Sequence, residues 1–147
     1  MWEFQRRILT GRAERASLYW QGNMIKKILI AEDEEDILEL LSAILGDLEG
    51  YEILRARGSE DVLRIARVDN PDIVLLDIQL PNLNGYEVCK LMKSDPTMSQ
   101  TKVLMMSGMA QNSDWRKAQE VGADGYIIKP FSSIELVEKI EELLRSN

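Results

Sequence analysis

Ile73-Val74-Leu75-Leu76-Asp77-Ile78-Gln79-Leu80-Pro81-Asn82-Leu83-Asn84-Gly85 is the stretch that decides the fold. Four consecutive apolar residues with no polar alternation suit a strand covered on both faces. Asp77 stops the run, and the Pro, Asn and Gly residues turn the chain toward an amphipathic segment. The same succession recurs on either side. From Met24 onward there are five such units, with strands centred on Ile28-Leu29-Ile30, Ile53-Leu54, Ile73 to Leu76, Val103 to Met106 and Tyr126 to Ile128. Apolar runs alternating with amphipathic stretches predict an α/β fold of repeated βα units around a parallel sheet.

The first helix is marked by Ile37, Leu40, Leu41, Ile44, Leu45 and Leu48, which recur at three- and four-residue spacings and predict one apolar face. Its acidic start suits the helix dipole. A second helix begins near Ser59 with Val62, Ile65 and Ala66, and a third follows Asn84-Gly85 and stops before Pro96. A fourth runs from about Asn112 to Val121. The last opens on Ser132-Ser133-Ile134-Glu135, a capping-box spacing, and is predicted to carry Val137, Ile140, Leu143 and Leu144 inward.

A chain of 147 residues that is 45% hydrophobic and 29% charged suits one soluble domain with its own core. No apolar run approaches the roughly 20 residues of a membrane helix, so no membrane association is expected. Cys89 is the only cysteine and histidine is absent. An internal disulfide is therefore excluded, the commonest zinc ligand is missing, and a cytoplasmic location is expected. Residues 24–147 hold 14 basic and 23 acidic residues, a balance that repels a phosphate backbone and argues against direct nucleic-acid binding.

In open parallel sheets, sites form beyond the carboxyl ends of the strands. The residues there are chemically selective: Glu32-Asp33 after the first strand, Asp77 after the third, Ser107-Gly108 after the fourth, Lys129-Pro130 after the fifth. Two carboxylates about 4 Å apart repel by about 4 kcal/mol at an effective dielectric near 20, so such a group takes up protons or recruits a cation. Oxygen donors without His or Cys favour a hard ion, and Mg²⁺ prefers few carboxylates, several waters and a phosphate oxygen. Lys129 can pair with Asp77 before a phosphoryl group arrives and with its oxygens afterwards. Ser107 can hydrogen-bond such an oxygen, and a cis Lys129–Pro130 peptide would fix the direction of the lysine.

At these residues the sequence resembles the receiver domains of two-component response regulators, in matching order from Met24 to Asn147. The family's acidic pair corresponds to Glu32-Asp33, its phosphoacceptor to Asp77, its hydroxyl residue to Ser107 and its Lys-Pro to Lys129-Pro130. The resemblance implies a doubly wound, flavodoxin-like (βα)5 fold with strand order 2-1-3-4-5. It also implies a switch in which a sensor histidine kinase or histidine phosphotransfer protein phosphorylates Asp77. Mg²⁺ would be held by Glu32, Asp33, Asp77 and the backbone carbonyl of Gln79. Tyr126 falls where the family often has an aromatic that changes rotamer, so the face of helix four, strand five and helix five would be remodelled for a downstream effector protein. Trp115 and Arg116 are candidate contacts there. A monomer or a weak, phosphorylation-dependent dimer is expected, and not a turnover enzyme. Glu32 in place of the more frequent Asp, and Gln79 two residues beyond Asp77, are departures; Gln79 and Met109 would flank the phosphoryl group and influence its hydrolysis.

Two other readings compete. A haloacid-dehalogenase-type phosphatase would carry a second acid at position 79, where this chain has Gln. A pseudo-receiver that only binds partners would not need the full set of functional groups. Cys89 reads as core filler. Residues 1–23, with four Arg among Trp2, Phe4, Ile8, Leu9, Leu18, Tyr19 and Trp20, read as an appendage outside a domain of residues 24–147. With no segment left for an output domain after the fifth helix, the domain is expected to work alone.

Overall fold

The computed structural model describes residues 25–108 and 112–146. The expectations for the appendage and for Met109 lie outside the described residues. Strands β1 (Lys26–Ala31), β2 (Tyr51–Ala56), β3 (Ile73–Asp77), β4 (Lys102–Ser107) and β5 (Gly125–Ile128) alternate with helices α1 (Glu35–Gly46), α2 (Ser59–Asp69), α3 (Gly85–Ser94), α4 (Asn112–Glu120) and α5 (Ser133–Arg145). The strands form one parallel sheet ordered β2-β1-β3-β4-β5, as the resemblance implied.

The absence of polar alternation in the central strands follows from two cores. Leu29, Val74, Leu76, Val103 and Met105 point to one face, where Val62, Val88 and Met92 of α2 and α3 cover them. Ile28, Ile30, Ile73, Leu75, Leu104 and Met106 point to the other, covered by α1 and α5. Each strand residue thus buries about 1.5–3 kcal/mol of apolar side chain on one side or the other. On α1 the buried positions are Leu38, Leu41 and Leu45, whereas Leu40 is 60% exposed. The expected stripe was therefore rotated: Leu40 takes the solvent side, and Leu38 does the packing assigned to it.

Helix ends are set by local chemistry. Asn84 and Glu87 form a reciprocal capping box at α3, Asn84 Oδ1 accepting from Glu87 N at 3.0 Å and Glu87 Oε1 from Asn84 N at 3.2 Å. At α5 only one half forms, Ser132 Oγ accepting from Glu135 N at 3.1 Å. Leu136, which the sequence reading did not place inward, is fully buried there.

The loop after β3 is anchored twice. The Ser59 hydroxyl donates to Pro81 O at 3.2 Å and accepts from Leu83 N at 3.3 Å. Gly85 N donates to Ile78 O at 2.7 Å, and a Cβ on Gly85 would lie 2.5 Å from Asp77 O and 2.8 Å from Ile78 Cα. Only glycine permits this approach of α3 to the end of β3. Gly85→Ala is expected to destabilise the fold by about 1–3 kcal/mol. Urea unfolding checks this, and an unchanged midpoint would contradict the close-approach role.

Candidate functional site

Strand register brings the site together. β1 lies beside β3 with Ala31 opposite Leu76, so the next residues, Glu32 and Asp77, become neighbours at the carboxyl edge. β3 pairs Asp77 with Met106, and β4 pairs Ser107 with Ile128, so Ser107 and Lys129 close the same edge. Between β1 and β3 the chain has crossed from one side of the sheet to the other, and crevices form at such switch points. An open cleft of about 510 Å³ lies there, with Asp77, Gln79, Ser107 and Lys129 in its wall.

Lys129 Nζ donates to Glu32 Oε1 at 2.9 Å and to Asp77 Oδ2 at 3.0 Å. Asp77 Oδ1 accepts from the backbone N–H of Gln79 at 3.0 Å, and Glu32 Oε2 from that of Glu34 at 3.2 Å. Both carboxylates are buried, Glu32 at 1% exposure and Asp77 at 7%. Burial pushes the Glu32 carboxyl above its ordinary range; the Lys129 hydrogen bond pulls it down, and the neighbouring Asp77 raises it again. The Lys129 ammonium is held above the usual lysine value, because its bonds to the two carboxylates outweigh the burial that opposes its charge. The Lys129–Pro130 peptide is cis. Lys129 N donates to Ser107 O at 2.7 Å, which ties the lysine's backbone to the hydroxyl residue.

Asp33, next in the chain after Glu32, has Oδ1 buried and lacking a hydrogen-bond partner, which marks an acceptor in need of a cation or a donor. Among the described residues no three acidic, His or Cys side chains cluster closely enough to hold a metal unaided.

Tyr126 is half-buried, its ring edge-on to that of Trp115 with centroids 5.6 Å apart. Trp115 and Arg116 are both exposed on α4. Gln79 is exposed at the cleft. Cys89 is fully buried, and burial raises its thiol to about 11, so it is inert filler. Sequence reasoning missed three further residues of the cleft wall, Tyr86, Asp114 and Lys117. Tyr86 lies 28 residues from Asp114, whose backbone oxygen accepts from its hydroxyl at 3.4 Å. No sequence periodicity signals such a pairing.

The raised Glu32 value has a consequence for stability. A carboxyl that binds its proton more tightly when folded contributes stability below its unfolded pKa of about 4.3, and that contribution is lost as pH rises through the folded value. Asp77→Asn removes a charge that raises Glu32 and leaves a balanced Glu32–Lys129 pair. The variant is expected to exceed the parent in stability near neutral pH by about 1 kcal/mol, the advantage shrinking on acidification as Glu32 takes up its proton. Urea unfolding from about pH 4 to 8 measures this; a variant less stable at neutral pH would contradict it.

Residues 28–141 match the sequence profile of the family described as "Response regulator receiver domain". The alkaline phosphatase synthesis transcriptional regulatory protein PhoP of Bacillus subtilis is 38% identical over 122 residues, covering 83% of this chain but only 50% of the relative. The chain thus spans about half the length of that relative. Against the polar-differentiation response regulator DivK of Brucella ovis it is 34% identical over 121 residues, covering 82% of this chain and 98% of DivK. A CheY-like response regulator receiver domain protein from Methanospirillum hungatei superposes with a TM-score of 0.75 at 32% identity, covering 82% of this chain and 94% of that one. The chemotaxis protein CheY4 of Vibrio cholerae does so with a TM-score of 0.76 at 25% identity, covering 81% and 98%. With the sheet order, the strand-end chemistry and these likenesses in agreement, the chain belongs to the receiver-domain family of two-component response regulators.

Proposed function

We propose that this chain is a phosphoacceptor switch of a two-component phosphorelay, with Asp77 as the acceptor. The observation that carries this reading is the setting of the Asp77 carboxylate. It is buried at the cleft wall, with one oxygen on the Gln79 amide and the other on Lys129 at 3.0 Å. Membership of the receiver-domain family supports the phosphohistidine of a sensor kinase or phosphotransfer protein as the donor.

In the transfer an Asp77 carboxylate oxygen bonds to phosphorus while the phosphorus–nitrogen bond of the donor breaks, its electron pair returning to the imidazole. Lys129 shifts its ammonium from the Asp77 carboxylate to the phosphoryl oxygens, and Ser107 donates to another of them. The rate gain is electrostatic and positional. Glu32, Asp33, Asp77 and the Gln79 carbonyl would hold Mg²⁺, whose chemistry is to neutralise charge on the phosphoryl oxygens. The orphaned buried Oδ1 of Asp33 and the oxygen-only donor set fit that ion.

The covalent state is the signal, so the chain acts as a switch and not as a turnover enzyme. Movement of Ser107 and Lys129 toward the phosphoryl group lets Tyr126 turn from its place against Trp115. An effector protein that prefers the altered α4–β5–α5 face stabilises the phosphorylated state by the same free energy. A phosphatase that needs an acid at position 79 finds Gln there.

Incubation with acetyl phosphate and Mg²⁺ is expected to add one phosphoryl group by intact mass. Chelation of the metal or Asp77→Asn abolishes the gain, and Lys129→Ala reduces it by at least about tenfold. A gain that persists in Asp77→Asn would overturn the assignment.

A further inference from the structure

The cleft beside Asp77 has a second carboxylate in its wall. Asp114, in the first turn of α4, is 9% exposed, and its Oδ2 is buried with no hydrogen-bond partner. It shares the cleft with Asp77, Ser107, Lys129, Tyr86 and Lys117. The Tyr86 hydroxyl donates to the Asp114 backbone oxygen at 3.4 Å, and burial followed by the Asp114 charge raises that phenol to about 12. The hydroxyl therefore stays protonated and keeps its donor role. The Lys117 ammonium stands over the Tyr86 ring, 5.8 Å from its centroid.

A buried carboxylate oxygen without a donor loses free energy unless something fills the gap. At the wall of an open cleft that something is water, and a carboxylate accepts the water's hydrogen and turns its oxygen lone pair outward. A fixed acceptor that orders water in the cleft containing the phosphoryl acceptor has a direct chemical use.

We propose that Asp114 is a positioning residue for the water that hydrolyses the aspartyl phosphate, and so sets how long the phosphorylated state lasts; this rests on the reading of Asp77 as phosphoacceptor. The water oxygen bonds to phosphorus and the bond from phosphorus to the Asp77 oxygen breaks. The electron pair returns to the Asp77 carboxylate, and both water protons leave with the product as dihydrogen phosphate. Asp114 orients the attacking water by accepting one hydrogen bond and undergoes no covalent change.

The test follows the decay of the phosphorylated protein by intact mass, after loading with acetyl phosphate and Mg²⁺ and removal of the donor by desalting. Asp114→Asn is expected to lengthen the lifetime about tenfold, the worth of one charge-assisted hydrogen bond to the water. Asp114→Ala should behave likewise, and added formate should shorten its lifetime, a rescue that a merely structural role would not produce. Asp114→Ser, with a hydroxyl suited to a first helical turn, serves if circular dichroism shows that the other variants do not fold, and it too should decay more slowly. Equal or faster decay in the folded variants, or no response to formate, would overturn the inference while leaving Asp77 as acceptor. A parent protein that never gains a phosphoryl group would overturn both readings together.

Discussion

One ammonium held between two buried carboxylates is the constraint on which the rest of this structure depends. Lys129 reaches Glu32 at 2.9 Å and Asp77 at 3.0 Å from the opposite end of the sequence, and Asp33, next in the chain after Glu32, has a buried oxygen with no hydrogen-bond partner. One positive charge does not balance them. Removing charges from water costs several kcal/mol per ion, and a cluster left with surplus charge recovers that cost only by gaining a proton, a cation or a redistributed anion. The exposed pairs elsewhere, such as Arg55 with Glu39 at 2.8 Å, face water and contribute little.

The sheet makes this arrangement possible and also limits what can move. β1 and β3, buried on both faces, fix Glu32 and Asp77, while Gly85 and Ser59 tie down the loop that follows Asp77. The other wall of the cleft is built differently. Ser107 and Lys129 are joined through a backbone hydrogen bond of 2.7 Å, so a ligand that draws one carries the other with it. Beyond them α4 rests on side-chain contacts, Tyr86 against Asp114 and Trp115 against Tyr126. On the proposed reading, the edge fixed by β1 and β3 receives the phosphoryl group, and the wall that carries Ser107, Lys129 and α4 reports it.

Much of this was legible before any coordinates. Unbroken apolar runs at Ile73 to Leu76 and Val103 to Met106 specify strands buried on both sides, and polar residues that end such runs must meet at one edge. The order of the strands was not contained in those runs; it came from the resemblance carried by Glu32-Asp33, Asp77, Ser107 and Lys129-Pro130. Leu40 misled because its spacing fits an apolar stripe as well as that of Leu38, and only the position of the neighbouring strands decides between them. Tyr86, Asp114 and Lys117 escaped because their partnership crosses from one helix to another, where no spacing rule applies. The reciprocal cap of Asn84 and Glu87 followed a recognisable pattern that the turn signal of Asn84-Gly85 overshadowed.

Chemical mapping of the modified residue tests the central claim most directly. Borohydride reduction of the acetyl phosphate-treated protein converts an aspartyl phosphate to homoserine, which peptide mass spectrometry locates. The account predicts homoserine at position 77 alone. Modification at Glu32, Asp33 or Asp114, with Asp77 intact, would contradict it.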